Sequence, residues 1–548
     1  MTETKGSKKL RGGYYTPKEM ADFITRWVVR KESESILEPS CGDGHFIEAV
    51  IDRFQELGIR KNNISSKITG IELDSTEAKK ASDRFKKYDI KYEKNIKTID
   101  FFSQCKTWLN NNTVFDGIVG NPPFIRYQDF PESYRNIALS LIEKSGLKKN
   151  KLMNTWIPFI VGSTLLLRSG GKIGFVLPAE LFQVNYASET RKFLSESYSK
   201  IIIITFKKLV FEDAQQEIII FLGEKNGKKS HGINIIQVEN INSLKYIDLE
   251  NVTEHLKILE NSSEKWTQYF LDQKEIELIR KLRENPLLSL AKDHLSVDVG
   301  IVTGQNKYFV LNKDQIKEHD VEKYTQKIFS RSNQLKGIIA EEDDFEESVQ
   351  GGCANFLLNI PNTDYNKLPK SLQNYIDIGE KNKINEGYKC RIRGHWWNVP
   401  SIWVSDAFML RQVNGYPKLV LNKSQATATD TLHRVKFINS SDAKYIIPAF
   451  LNSLTLAFSE ITGRSYGGGV LTFEPSEVEK LPLPLNGAKK LNLSKIDKLI
   501  RDGKIDEVLD MTDRILLKDG LKLSTNEIAS LRTIWKKLRD RRINRKFD

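Results

Sequence analysis

"FDGIVGNPPF" runs from Phe115 to Phe124. Its first five residues read as a buried strand, a short apolar run closed by glycine. The strand then meets an amide, two prolines and an aromatic ring. Proline fixes its φ and has no N–H to donate. The residue before a proline is pushed into extended geometry. Asn121 and Pro122 are therefore both expected extended, with the Asn121 side-chain oxygen and the Pro122 carbonyl converging as two acceptors. An amino group has two N–H donors to satisfy such a pair. Phe124 supplies a flat apolar face on which a planar base can stack.

The surrounding pattern alternates. "SESILEPS" and "KITGIELD" read as strands. They are followed by helices over "GHFIEAVIDRFQELG", closed by Gly58, and "STEAKKASDRFKKY", capped by Ser75. "IKYEKN" is a third strand and "VFDGIVG" a fourth. "MNTWIPFIVGSTLLLRSGG" reads as a buried helix ending at its glycines, and "KIGFVLP" as a fifth strand. A helix follows near "ASETRKFLSES", and "KIIIITF" and "EIIIFLG" are late strands suited to antiparallel pairing. Such alternation predicts an α/β fold, a parallel sheet covered on both faces. Beyond about residue 225 the alternation is lost. The expected division is 1–240, 241–490 and a helical basic end over 491–548.

Composition narrows the class. The 548 residues are 39% hydrophobic and 28% charged, with a formal charge of +13. A basic balance of this kind favours a polyanion partner. The last twenty residues alone hold eight Lys or Arg against two Asp. That is a solvated tail or a phosphate-contacting helix. No apolar run reaches the roughly 20 residues of a membrane helix, and the N-terminus lacks the apolar core of a secretory signal. Cys41, Cys105, Cys353 and Cys390 are far apart. They suggest a reducing cytosol, no disulfide framework and no metal site.

Two further motifs sit at strand ends. In "ILEPSCGDGHF" Gly42 and Gly44 let backbone approach a ligand at the carboxyl end of the first strand. In "GIELD" Glu72, with Asp74 second, is placed to accept hydrogen bonds from two ribose hydroxyls. The loop lacks a full GxGxxG, so a nucleoside ligand fits better than a dinucleotide. In "IDFF" Asp100 can take an adenine amino group and Phe101 can cover the ring. With the two acceptors at Asn121 and Pro122, the pattern predicts alkylation of an amino nitrogen by a sulfonium donor. That reaction rests on positioning and electrostatics, with no dedicated strong base. A base in a duplex must be turned out to reach such a site, and Phe211 is the expected opposite wall.

In this order, "YYTPKEMADFI", "LEPSCGDGHF", "GIELD", "DFF", "GNPPF" and "GGKIGFVLP" resemble the gamma class of N6-adenine DNA methyltransferases, close to the Taq-type enzymes of bacterial restriction–modification. The resemblance implies a Rossmann-like S-adenosylmethionine-dependent methyltransferase sheet followed by a mixed α+β target-recognition domain. It implies that Thr16, Glu38, Ser40, Gly42, Glu72, Leu73, Asp100, Phe101 and Pro123 line S-adenosylmethionine. Asn121, Pro122 and Phe124 become the target-adenine motif, with Phe211 the second stacking wall. The most frequent form of that motif ends in Tyr; Phe124 keeps stacking and loses the hydroxyl. "YKCRIRGHWWNVP" and "LNKSQATATDTLHRV" are similar to target-recognition segments. They make Arg391, Arg393, Lys423, Thr431 and Arg434 candidates for DNA contact, with Trp396 and Trp397 expected in the core.

The implied partner is double-stranded DNA, with a separate restriction endonuclease acting on the same site as a companion. The implied location is the bacterial cytoplasm, and the expected state is a monomer or weak dimer. Glutamine methyltransferases share the Asn-Pro-Pro-aromatic motif, but the long basic region beyond the sheet favours DNA. The same long region argues against a modification subunit that borrows its recognition subunit, no nuclease cluster of carboxylates and Lys suggests a fused endonuclease, and a decayed, non-catalytic DNA-binding relative is a further alternative.

Overall fold

Helix α1 (Lys18–Val28) buries Met20, Ala21, Ile24, Trp27 and Val28, a stripe at helical spacing. It can lie close to the sheet because glycines stand beneath it. A Cβ on Gly174 would come within 2.4 Å of Ile24 Cγ2, and one on Gly117 within 2.6 Å of Val28 Cγ1. The computed structural model describes residues 16–545, except 92–94, 127–128, 151–152, 211–216, 229–231, 250–251, 253–255, 260–263 and 467.

The chain forms two compact units. The first holds residues up to Gln273 together with 466–468 and 541 onward; the second holds 274–465 and 469–540. Among the described residues the first unit is built on a nine-stranded sheet. Its strands are β1 (Ile36–Glu38), β2 (Ile68–Glu72), β3 (Ile96–Thr98), β4 (Phe115–Gly120), β5 (Leu167–Pro178), β6 (Lys200–Phe206), β7 (Ile218–Lys225), β8 (Gly232–Val238) and β9 (Leu256–Ile258). Their order is β3-β2-β1-β4-β5-β7-β6-β8-β9. The first five in that order are parallel, and β7 is antiparallel to both β5 and β6. Val119, Val176, Ile202, Ile204, Ile220 and Leu222 enter the core shared with α1, α2 (His45–Glu56) and α3 (Ser75–Lys87). Their neighbours Ile118, Phe175, Ile203 and Phe221 point the other way and are equally buried. On the second face α4 (Phe101–Asn110), α5 (Glu132–Lys144) and α6 (Trp156–Leu166) pack together. Burial of both faces explains the near-continuous apolar strands.

Several local expectations move. "IKYEKN" includes residues outside the description, and β3 follows it at Ile96–Thr98. There the Gly70 N–H donates to the Asn95 carbonyl, and Ile96 fills the space where Gly70 has no side chain. The cap of α3 is Asp74, whose carboxylate accepts from the N–H groups of Thr76 and Glu77, and Ser75 is the first helical residue. Helix α6 ends at Leu166, before the glycines, which lie within β5. The Lys225 ammonium donates to the carbonyls of Thr164 and Leu167 at that end. The sheet continues through β8 and β9, past residue 240.

Among the described residues the basic C-terminal region is not a solvated tail, because many of its cations are paired within the chain. Over helix Thr525–Ile543, Arg532 pairs with Asp510 and Asp513, Lys536 with Asp506, and Lys537 with Glu275. Arg541 and Arg545 both pair with buried Glu217 at the start of β7. Burial pushes the Glu217 carboxyl upward, and the Arg545 charge opposes that.

The second unit is mixed α+β. A five-stranded sheet runs Leu295–Val299, Leu432–Phe437, Ala407–Leu410, Leu419–Asn422, Ile339–Ala340, and a four-stranded one Val310–Leu311, Phe356–Leu358, Thr325–Phe329, Thr427–Ala428. Beside the second sheet a core gathers Tyr308, Phe309, Leu357, Tyr375 and Trp397, with Trp396 packed against it. No described helix is long and apolar enough to cross a membrane. No described group of three or more His, Cys, Asp or Glu is arranged to hold a metal, and the four cysteines are unpaired.

Because α1 rests on Gly174, Gly174→Val should overpack that contact and destabilise the first unit by about 1–3 kcal/mol. A lowered urea midpoint with little change in slope is the expected result.

Candidate active site

The carboxyl ends of β1, β2 and β4 carry the loops that form the site. After β1 the chain turns through Gly42, with φ of 51°, and Gly44, with φ of 90°. A Cβ on Gly44 would lie 2.8 Å from Ala81 Cα, so the loop approaches α3 as only glycine permits. The Cys41 N–H donates to the Ile71 carbonyl and ties the loop to β2.

Glu72 ends β2. Its carboxylate accepts from the Gly42 N–H at 2.8 Å and from the Asp74 N–H at 2.9 Å. Burial raises its pKa, and these backbone donors oppose the shift. Glu38, at the end of β1, is buried, and its Oε2 has no hydrogen-bond partner among the described residues. Burial, then the charges of Asp43 and Glu72, push the Glu38 carboxyl well above the ordinary range. Such a buried atom can accept from a donor not present among the described residues.

Asp100 caps α4, one oxygen accepting from the Ser103 N–H and hydroxyl, both at 2.8 Å. Burial raises its pKa. Phe101 is 2% exposed and stacks on Phe159 at 5.0 Å. It stands in the core between α4 and α6, rather than open to a ligand. The apolar side chains left open beside Glu72 and Asp100 are Leu73, 48% exposed, and Ile99, 38% exposed. Ile99 escaped the sequence reading because nothing in a strand-end isoleucine marks it as exposed.

The turn after β4 is fixed from several sides. The Asn121 side-chain N–H donates to Thr16 Oγ1 at 3.2 Å, bringing together residues 105 apart in the chain. The Ser40 hydroxyl reaches the Asn121 carbonyl at 3.5 Å. The Thr155 hydroxyl donates to the Pro123 carbonyl at 2.6 Å and accepts from the Ile125 N–H at 3.2 Å. No hydrogen bond to the Pro122 carbonyl is formed among the described residues. Phe124 is half-buried against the core beneath α1–α3. Phe211, the expected opposite wall, lies outside the described residues. Thr155 was not singled out from sequence; its position just before a buried helix was the available signal.

Thr16, Glu38, Ser40, Gly42, Glu72 and the Asn121–Phe124 turn are therefore linked by a continuous set of hydrogen bonds and strand ends. The model of the N-6 DNA Methylase family matches residues 2–285. The chain belongs to the N-6 DNA methylase family. Residues 263–517 match a second family, the C-terminal domain of Type II methyltransferase M.Eco57I. Type II methyltransferase M.AccI of Acinetobacter calcoaceticus is 26% identical over 535 residues, covering 92% of each chain. Type II methyltransferase M.HindII of Haemophilus influenzae is 27% identical over 331 residues, covering 56% of each. The Type IIL restriction-modification enzyme MmeI, solved in complex with DNA, shares the fold. Its TM-score is 0.59 at 11% identity, covering 96% of this chain and 75% of that one.

The methylase uses S-adenosylmethionine, and the residues present fit it. An acidic fork at Glu72 suits a vicinal diol. Leu73 and Ile99 suit a purine face. The unpartnered Glu38 oxygen suits an ammonium group, and among the described residues no atom beyond Gly42 and its chain neighbours lies within 4 Å of the position a Gly42 Cβ would take.

The DNA-contact candidates fall in the second unit. Arg393 donates to the carbonyls of Val302 and Thr303. Arg434 is buried over Trp403 and donates to Val299 and Ser401. Thr431 donates to the Ser330 carbonyl, and Lys423 pairs with Glu341. Arg391 is exposed on the short helix Tyr388–Arg391, beside Tyr388 at 66% and Ile392 at 60% exposure.

Glu72→Ala should weaken S-adenosylmethionine binding by roughly 10- to 100-fold, the value of about 1.5–3 kcal/mol for hydrogen bonds to a charged group. Titration calorimetry gives the comparison, and unchanged affinity would reject the role.

Proposed function

We propose that the methylase transfers a methyl group to N6 of an adenine turned out of duplex DNA, in a restriction–modification setting. The observation that carries this reading is the strand-end turn. Thr16 takes a side-chain N–H of Asn121, which directs Oδ1 away from that contact. Ser40 and Thr155 engage the carbonyls on either side of Pro122, leaving the Pro122 oxygen for an incoming donor.

The exocyclic nitrogen of adenine is a weak nucleophile because its lone pair is delocalised into the ring. Two fixed acceptors on its hydrogens favour a more tetrahedral nitrogen and aim the lone pair. Their positions are set before reaction, so no reorganisation is needed in the transition state. S-adenosylmethionine, when bound, supplies an electrophilic methyl carbon. Glu72 would hold its ribose, with Leu73 and Ile99 beside the purine and Glu38 near the amino group. Methylated N6 loses its proton readily, so a strong base is not required.

Phe124 supports stacking of the extruded base, and we assign Phe211 to the opposite face. Turning out the base costs a few kcal/mol, which stacking at roughly 1–3 kcal/mol per base helps to offset. For DNA contact we favour the exposed group of Tyr388, Lys389, Arg391 and Ile392, where cationic donors stand beside apolar side chains. A separate endonuclease cutting the same sequence, a bacterial cytoplasmic location and a monomer or weak dimer complete the proposal.

With tritiated donor and mixed duplex DNA, label should appear on adenine. Label on cytosine or protein would reject the reading, and DNA binding without label would favour a decayed module. Asn121→Ala should lower the rate by about 100-fold or more while donor affinity is kept. A normal rate in that variant would end the acceptor-pair account. Arg391→Ala should weaken DNA binding and lower the salt slope by about 1. An unchanged slope would remove Arg391 from the phosphate contacts.

A further inference from the structure

His45 stands where the glycine loop enters α2, and each of its ring nitrogens faces an acceptor. Nδ1 lies 2.8 Å from the Thr16 carbonyl oxygen, and Nε2 lies 3.1 Å from Asp43 Oδ2. A carbonyl and a carboxylate can only accept. Both nitrogens must carry hydrogen for both contacts to be attractive, which makes the bound form the imidazolium. Thr16 then passes the constraint on, because its hydroxyl accepts from the Asn121 side chain at 3.2 Å.

Of the charged groups around the ring, the Asp43 carboxylate supports that form and the Arg84 cation opposes it. Asp43 lies on the same loop. Arg84 of α3 donates to Asp43 Oδ2 at 3.0 Å and to its carbonyl at 3.1 Å. Behind Arg84, Glu48 of α2 pairs with both Arg84 and Lys87. The ring is half-buried, so it is neither lost in the core nor fully solvated.

We propose that His45 is a positioning residue for methyl transfer: as the imidazolium it fixes the Thr16 main chain and, through the Thr16 hydroxyl, sets the orientation of the Asn121 amide. This rests on the role proposed for Asn121. His45 itself touches neither the target base nor the donor.

The electrostatics agree. The hydrogen bond to Asp43 raises the His45 pKa above its ordinary value, burial opposes that, and the Thr16 carbonyl adds to it. Burial alone would raise Asp43; His45 and Arg84 outweigh it and hold the carboxyl low. A raised histidine pKa means the contact is complete at low pH and is lost as pH rises through the raised value. The neutral ring can donate to only one of its two acceptors and turns a lone pair toward the other.

The test is single-turnover methyl transfer at saturating donor and DNA, from about pH 6 to pH 9, spanning the histidine range. It is run on the full chain and on His45→Ala, His45→Asn and Asn121→Ala. The wild-type rate should fall on the alkaline side, with a midpoint above the ordinary histidine value. His45→Ala should be slower by roughly tenfold near neutrality and flat with pH on that side, with the DNA concentration for half-maximal rate unchanged. His45→Asn, whose side-chain N–H can reach the Thr16 carbonyl, should recover most of the rate yet stay flat.

A His45→Ala rate within about twofold of wild type, or an alkaline fall that survives in either His45 variant, overturns the proposal. If His45→Ala does not fold, as judged by thermal unfolding and donor binding, His45→Asn decides alone: its flat profile supports the role, and a retained alkaline fall removes it. Asn121→Ala separates the two levels. If it turns over normally, the account of the site fails and that of His45 with it. If it is inactive while His45→Ala is normal, only the His45 proposal fails.

Discussion

The hydrogen bond from the Asn121 amide to the Thr16 hydroxyl joins the turn after the fourth strand to the residues that precede the first helix. Its geometry depends on how closely that helix can approach the sheet. Gly117 and Gly174 set the approach, because any side chain there would meet Val28 or Ile24. Packing at the centre of the sheet thus fixes a polar contact at its edge. The other restraints on the turn, from Ser40 and Thr155, act on backbone carbonyls and add rigidity without adding charge. On the proposed reading such a site would stabilise a transition state through prior arrangement, and the close packing beneath it is what holds the arrangement still.

Much of this was legible in the sequence where one physical cause dominated. Strands buried on both faces showed as apolar runs, and consecutive prolines announced a fixed turn. Glu72 was read at the end of the second strand, and there its carboxylate accepts from the N–H groups of Gly42 and Asp74. The misses occurred where two causes competed. Asp74 and Ser75 are both good caps, and the carboxylate accepting two N–H groups prevailed. Residues 92–94 of the expected third strand lie outside the described residues, and the described strand begins at Ile96, whose side chain fills the space beside Gly70. Phe101 looked like a base cover, but Phe159 lies parallel to it. Exposure, as at Ile99, and long-range pairing, as at His45 and Thr16, leave no local trace in a sequence.

The basic balance pointed to a polyanion, in keeping with a DNA methylase, but which cations stay open was not legible in it. The basic C-terminal residues invited a phosphate partner, yet Asp506, Asp510, Asp513, Glu275 and Glu217 engage many of them. Arg393 and Arg434, in the segments read as target-recognition, direct their donors to backbone carbonyls of their own unit. A count of cations overstates what a surface can offer to DNA unless internal acceptors are subtracted first.

The pairing of Glu217 with Arg541 and Arg545 has a bearing on synthesis. These partners are 324 and 328 positions apart. A ribosome releases the carboxylate long before it releases either guanidinium. Through that interval the late strands of the sheet would have to bury an uncompensated negative charge or leave it hydrated and the packing there unfinished. The nascent catalytic half therefore reaches its final form only after Arg541 and Arg545 have been added, so termination ahead of them would damage the half encoded first.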